Sequence, residues 1–288
     1  MYPIIGIIVV YGAIIWGYIL EKGNLYVLLQ PAEFIIISGA ALGSMLIMCS
    51  PSTIAKIIKA IPTVIIGKGR DKKDYLALLG LLYSIFSKIK KEGLLAIEQD
   101  IEAPQKSGLF KKYPEILGNH HATNFICDNL RVFVVGIKPM EMEGMMDVEL
   151  DAHHEENAIP TGVIMKVADS LPGFGIVAAV LGVVITMGKM AEPPEVIGHS
   201  VAAALVGTFL GILLCYGLLG PIGNHIELKT KEDSKYLEAI KTAILSFAKD
   251  MPPNMAVEAA RRVLFSDFKP TFQELENSLK KSKELKTP

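Results

Sequence analysis

"LPGFGIVAAVLGVVITMG" occupies Leu171–Gly188, and its reading decides the fold. It holds no residue that gains or loses a proton near neutral pH. It carries four glycines, Gly173, Gly175, Gly182 and Gly188, and has Pro172 near its start. About 20 apolar residues in helix cross a bilayer core. Three other stretches share this character: Pro3–Leu20, Phe34–Cys49 and Val201–Leu219. Phe34–Cys49 is short for a span and needs flanking residues. Pro3–Leu20 lacks a basic region before it and a small-residue cleavage site, so it reads as a retained helix rather than a signal peptide.

Composition agrees with four spans. The chain is 51% hydrophobic with a mean hydropathy of +0.39, high for a soluble domain of 288 residues. The charges cluster between long uncharged stretches, the pattern of a membrane protein. A net charge of -1 gives no electrostatic footprint for nucleic acid. Cys49, Cys127 and Cys215 lie far apart without metal-ligand spacing and read as buried small hydrophobes.

Lys and Arg near the span ends set the orientation. Lys56, Lys59, Lys68, Arg70, Lys72 and Lys73 follow the second span; Lys229, Lys231 and Lys235 follow the fourth. The short links carry only Lys22 and Lys189. Both long polar regions and the N-terminus are therefore expected on the cytoplasmic side. The expected fold is an all-α integral membrane protein. Four transmembrane helices flank a helical cytoplasmic domain between spans 2 and 3, and a helical cytoplasmic tail follows. The boundaries are 1–50 for spans 1 and 2, 51–167 for the cytoplasmic domain, 168–222 for spans 3 and 4, and 223–288 for the tail. The two span pairs show no internal repeat, which counts against an inverted-repeat transporter.

The polar parts read as helices. Ile54, Ile57, Ile58 and Ile61 recur at helical spacing, as in an amphipathic helix on a membrane surface. "YLALLGLLYSIFSKIKKEG" follows a cap at Asp74. It is apolar all round at first, basic later at Lys88, Lys90 and Lys91, and stops at Gly93. "LLAIEQDIEAP" is a short acidic helix, and one more helix is expected after Pro114. His153 and His154 stand in an acidic stretch, but adjacent histidines point to different sides of a helix. A solvated charged face is the simpler reading than a metal site. Pro252 and Pro253 break the tail helix, "NMAVEAARRVLF" starts another, and the charged end is expected to fray. No nucleophile elbow, phosphate loop or zinc motif appears, so neither an enzyme nor a cofactor is expected.

In span three, Gly175, Ala178, Ala179, Gly182 and Thr186 share one helix face. Ala204, Gly207, Thr208, Gly211 and Cys215 form a similar stripe in span four. Small residues let helices approach closely, which matters in lipid because no hydrophobic force holds helices together there. The stripes allow two readings: two helices packed on each other, or a shared wall around a helix of another chain. Ion pathways carry titratable groups within the bilayer. Glu33, Asp169 and His199 read as lying at span edges, and the polar groups at depth are hydroxyls such as Thr186 and Thr208. A second chain would then have to supply the ionisable group. Pro172 and Pro221 fall at the cytoplasmic ends of spans three and four. Pro172 fits an ordinary first turn and Pro221 a helix stop, or both act as hinges.

At these residues the chain resembles a known family. "ADSLPGFGIVAAVLGVV" and "LVGTFLGILLCYGLLGPI" are similar to the third and fourth spans of the MotA family, the A-subunits of bacterial flagellar stators. "GLLAIEQDIEAP", "YPEIL" and "MAVEAARRVLF" resemble its cytoplasmic loop and tail, and the span layout matches. The resemblance covers nearly the whole chain. It implies a ring of five around two MotB-type partners, whose single helices bear the ion-carrying aspartate and whose outer parts anchor to peptidoglycan. It implies that ion flux turns the ring, which pushes the rotor protein FliG, and that the chain sits in the inner membrane with both termini cytoplasmic. Pro172 and Pro221 match the family's two functional prolines. Glu98 matches the acidic residue of the torque loop, and Glu149 another loop acid. Lys90 falls where close relatives have arginine, so the charge is kept and the bidentate fork is lost. Sodium-driven relatives tend to place threonine in both spans along the ion path. Here span four has Thr208 and span three has Ala179, which implies proton drive. Gly175, Gly182, Gly207 and Gly211 would pack around the partner's helix. The competing reading is a relative of ExbB or TolQ, which has one span before its large cytoplasmic part where this chain has two. A passive membrane scaffold is the reading from another class.

Overall fold

Apolar runs and capped polar segments become helices throughout, and no strand occurs among the described residues. The computed structural model describes residues 2–66 and 69–284. The helices are α1 Tyr2–Leu20, α2 Leu25–Leu28, α3 Pro31–Met48, α4 Pro51–Ile66, α5 Lys72–Glu92, α6 Glu98–Glu102, α7 Pro114–Leu117, α8 His120–Val135, α9 Pro139–Met187, α10 Pro194–Leu214, α11 Gly220–Ala248, α12 Pro253–Val263 and α13 Phe272–Glu284. A 3-10 turn at Leu94–Ile97 precedes α6, and a π turn at Cys215–Leu219 joins α10 to α11. Packing divides the chain into an apolar unit, 1–67 with 157–229, and a polar unit, 68–156 with 230–288. These limits differ from the hydropathy boundaries at 50, 167 and 222. Ile164 packs with Ile57, Ile222 and Ile226, and Val167 and Ala168 pack with Ile37, so residues on both sides of each hydropathy boundary share one core.

Among the described residues, four helical runs are long and apolar enough to cross a membrane, and their most apolar parts lie in the apolar unit. α1 buries nothing and turns Ile5, Ile8, Val9 and Trp16 outward. α4 has the expected amphipathic character, but its isoleucines divide: Ile57 enters the core and Ile58 stays exposed. The side chains of Lys59 and Ile61, and residue Lys68, lie outside the described residues. Span three is no separate element. It is the second half of α9, which also takes in the acidic stretch and carries Pro160 and Pro172 inside it.

The polar unit is built around α5. Asp71, rather than Asp74, is its N-cap. The Asp71 carboxylate accepts from the Lys73 and Asp74 backbone N–H groups, and Asp74 accepts from the Asp71 N–H, a reciprocal box that satisfies otherwise orphaned donors. As expected of a helix apolar all round, Leu78, Leu79, Leu81, Leu82, Ile85 and Phe86 are fully buried. Phe86 stacks on Phe247 of α11 at 4.4 Å between ring centres. Gly93, at φ 88°, stops the helix in a conformation that suits glycine. The segment after Pro114 makes two helices, because Asn119 caps a new start by accepting from the Ala122 N–H. The C-terminal helix does not fray within the described residues. Thr271 and Glu274 cap it reciprocally, and Leu275 and Leu279 anchor it in the core.

Candidate functional site

The small stripes of α9 and α10 meet each other. A Cβ on Gly211 would lie 2.5 Å from the Leu171 carbonyl oxygen and 3.0 Å from the Gly175 Cα. One on Gly175 would lie 2.8 Å from the Gly207 carbonyl oxygen. One on Gly182 would lie 2.6 Å from the Ala204 methyl. Backbone touches backbone here, so Gly175, Gly182, Gly207 and Gly211 serve contact within the chain, the simpler reading of the spacing. The wall around a partner's helix that the resemblance assigned to them is not what fills these faces: atoms of the same chain already occupy them. Ala179 and Thr208 lie on the same seam and are half-buried. The Ala179 nitrogen is 3.2 Å from the Cβ position of Gly207, and the Thr208 Cα is 3.3 Å from that of Gly175. Thr186 is buried, and its hydroxyl donates to the Gly182 carbonyl at 2.8 Å.

The prolines sit in unlike settings. Pro172 is half-buried inside α9, where proline removes one helix hydrogen bond and crowds the carbonyl four residues back. Pro221 does not end its helix. The π turn just before it widens the backbone, with the Gly220 N–H donating to the Cys215 carbonyl, and the chain continues as α11. Single π turns recur at functional positions in helices. Sequence periodicity carries no signal for an extra residue in a turn.

Glu33 is the residue that the sequence reading misplaced. It is 8% exposed and faces the seam. Its Oε2 is 2.7 Å from the Cβ position of Gly207, and its Oε1 is 3.6 Å from that of Gly182. Gly207 lies about 20 Å along α10 from Pro194 at 1.5 Å per residue. Although it stands in the first turn of α3, Glu33 is therefore buried against the seam, and the apolar unit does carry a buried titratable side chain. The shortness of Phe34–Cys49 was the available signal: lengthening it backwards takes Glu33 inside.

The charges of the polar unit also sort themselves. Lys88 pairs with buried Asp100 at 2.8 Å, and the Ser107 hydroxyl donates to the same carboxylate, so Lys88 is a structural cation. Lys90 and Glu98 stand exposed on either side of the Gly93 turn, and no ion pair among the described residues takes up either. Leu95 between them is 73% exposed. Glu149 accepts from the Asn129 amide at 3.3 Å. Packing around its carboxyl raises its pKa above the ordinary value, and the Asn129 bond pulls it back. His153 meets His121 edge to face at 5.4 Å, while His154 bonds the Ser234 hydroxyl. No cluster of three or more metal-ligating side chains occurs among the described residues. Burial pushes the Cys127 thiol up to about 12, which makes it inert.

Sequence comparison decides the family. The chain is 39% identical to motility protein A of Escherichia coli over 281 residues, covering 97% of this chain and 95% of the relative. The chain belongs to the motility protein A family. Its residues 4–93 match the model of the motility protein A N-terminal region, and residues 118–239 that of the MotA/TolQ/ExbB proton channel family. The chemotaxis protein LafT of Vibrio parahaemolyticus is 35% identical over 97% of this chain and 98% of its own length. Among solved structures, the MotAB structure of C. jejuni aligns with a TM-score of 0.77 at 20% identity, covering 92% of this chain and 96% of that one, a likeness of fold. Membership of the motility protein A family carries the class of function: a flagellar motor stator subunit of a proton channel family, not an enzyme.

Proposed function

We propose that this chain forms a stator with a MotB-type partner, in which proton flux turns a ring of five A-type chains against the rotor protein FliG. The observation that carries the reading is the α9/α10 seam, with Ala179 and Thr208 on it and Pro172 and the π turn before Pro221 together at one end. In this reading Ala179 and Thr208 flank the ion path. Pro172 and Pro221 couple it to the polar unit, which lies in the cytoplasm with both termini. The partner supplies its own carboxylate and the cell-wall anchor.

Exposed Lys90 and Glu98, with Glu149 further along, are the charges offered to FliG. The ion pair of Lys88 with Asp100 supports Lys90 over its neighbour. The presence of α1 and α3 ahead of the polar unit favours this reading over an ExbB- or TolQ-like one, which needs a single span there.

Co-purification with the adjacent B-type subunit and native mass spectrometry test the assembly, with five A-type and two B-type chains expected. A topology reporter at residues 21–32 should read outside the cytoplasm; a cytoplasmic signal would favour the ExbB-like alternative. Swimming in sodium-free medium tests proton drive, and strict dependence on sodium overturns it. Pro172→Ala should stop swimming with assembly intact, whereas a passive scaffold predicts no effect.

A further inference from the structure

Among the described residues two buried side-chain oxygens have no hydrogen-bond partner, Thr161 Oγ1 and Glu33 Oε2, and of these only the Glu33 carboxyl ionises near neutral pH. Glu33 sits in the first turn of α3, is more than nine-tenths buried, and its Oε2 has no hydrogen-bond partner. Buried carboxylates are ordinarily satisfied by donors, because the desolvation cost falls on the group whether or not a partner is present. The groups that α9 and α10 bring to Glu33 are glycine and alanine: Gly182 and Gly207 by direct approach, with Ala178, Ala179 and Ala204 beside those glycines. The titratable residues of the packed helices are distant in chain. Lys166 and Asp169 lie at least 13 residues before Gly182, Lys189 seven after it, and Glu195 and His199 at least eight before Gly207. Among the described residues no cation forms an ion pair with Glu33.

The cleft is shaped for the carboxyl group. A side chain at Gly207 would occupy the space of Oε2, and one at Gly182 would press on Ala204 and approach Oε1. The same cleft holds the backbone of Ala179, one of the two residues that flank the ion path in the proposed reading. An acidic side chain inside a membrane span is costly, faces a protein interior or an ion pathway, and marks proton relays.

We propose that Glu33 is a proton-binding station of this chain itself, a second carboxylate beside the seam that takes up and releases the transported proton. It does so in addition to the carboxylate of the partner. The proposal deepens the proton-drive reading and rests on it. The step is a plain acid–base exchange: the proton bonds to a Glu33 carboxyl oxygen and leaves to water or to a neighbouring acceptor. On uptake an O–H bond of a hydronium ion or water breaks as the Glu33 O–H bond forms, on release the reverse happens, and no oxidation state changes.

The test uses the complex with its B-type subunit in nanodiscs, comparing wild type with Glu33→Gln, which keeps shape and removes the ionisable carboxyl. Infrared difference spectra between acid and neutral pH should show a carboxyl C=O band that Glu33→Gln lacks. The same variant should lose most motor speed in cells while keeping normal membrane levels. A variant that assembles, keeps its speed and keeps every titrating band overturns the proposal. If Glu33→Gln assembles poorly, Glu33→Asp decides. A retained band at a shifted position, with part of the speed, supports a titrating group at this site; an unshifted band assigns the signal elsewhere and overturns it. Strict dependence of swimming on sodium would sink proton drive, yet the infrared band would still report whether Glu33 itself titrates, so the two failures are distinguishable.

Discussion

The α5 core of the polar unit and the α9/α10 seam of the apolar unit hold together by opposite means. Around α5, large side chains fill the space, with Phe86 flat on Phe247 and leucines on every side. At the seam, side chains are withheld, and Gly211 lies against the Leu171 carbonyl. In water, burying apolar area drives folding. In lipid that force is absent between helices, and close contact of small residues replaces it. The two halves of one chain thus follow different rules, and the same substitution should have different consequences in each.

The largest expected effect is in the core. Phe86→Ala should cost the polar unit about 4 kcal/mol through a lost ring and the cavity left behind. Hydrogen exchange of the full chain in nanodiscs should show α5 and α11 opening while the seam stays protected. If the seam opens equally, the two halves are not held independently.

Next comes Glu258, 4% exposed and bonded to both Arg261 and Arg262. These bonds hold its carboxyl below the usual carboxylate range. Glu258→Ala should cost about 3 kcal/mol, because it leaves the Arg261 charge without its partner. The sign follows from the depressed pKa: this stability is present at neutral pH and is lost as pH falls through the folded pKa. A thermal melt followed on α12 checks both statements.

Third, Gly211→Ala should cost about 2 kcal/mol, because backbone meets the new methyl and neither helix can yield. Gly80→Ala, by contrast, meets the Tyr113 ring and hydroxyl, which can swing aside, at 3.0 Å. It should cost less than about 1 kcal/mol. Equal losses of helix protection for the two variants would erase the distinction between seam and core.

The smallest effect is at His153, whose pKa burial lowers, with His121 and His154 adding to the fall and Asp233 and Glu156 opposing it. The unfolded chain binds a proton there before the folded one does. Stability of the polar unit should therefore drop slightly as pH falls through the ordinary histidine range and level off below the folded pKa. His153→Gln should flatten that part of the pH profile; an unchanged slope would place its origin elsewhere.

Much of this was readable in the residues. Four apolar runs, the all-round burial of α5, the Gly93 stop and the break at Pro252 follow from periodicity and from the two residues that punctuate helices. Three features were not. The π turn before Pro221 is a change in hydrogen-bond register, which composition does not encode. The union of the acidic stretch with span three was hidden because Pro160 and Pro172 look like breaks, yet both sit within one helix. Glu33 was misread because hydropathy places an acid at the first boundary it can find, whereas burial depends on which helix packs over it. At the candidate site, the stripe of small residues was visible in the spacing, but what it touches was not. Of the loop cations, Lys88 was set apart only by the position of Asp100.

Glu33 also bears on how the chain is made. The glycine that covers its Oε2, Gly207, follows it by 174 residues (207 minus 33). At about 5–20 residues per second, roughly 10–30 s pass between the synthesis of the two. For most of that interval α3 has neither α9 nor α10 to lie against, since α9 ends at Met187 and α10 begins at Pro194, and a membrane-embedded acid costs up to about 3 kcal/mol during insertion. Covering this acid is therefore left to the last helices of the apolar unit to be made, because the glycines that approach its carboxyl oxygens are Gly182 and Gly207.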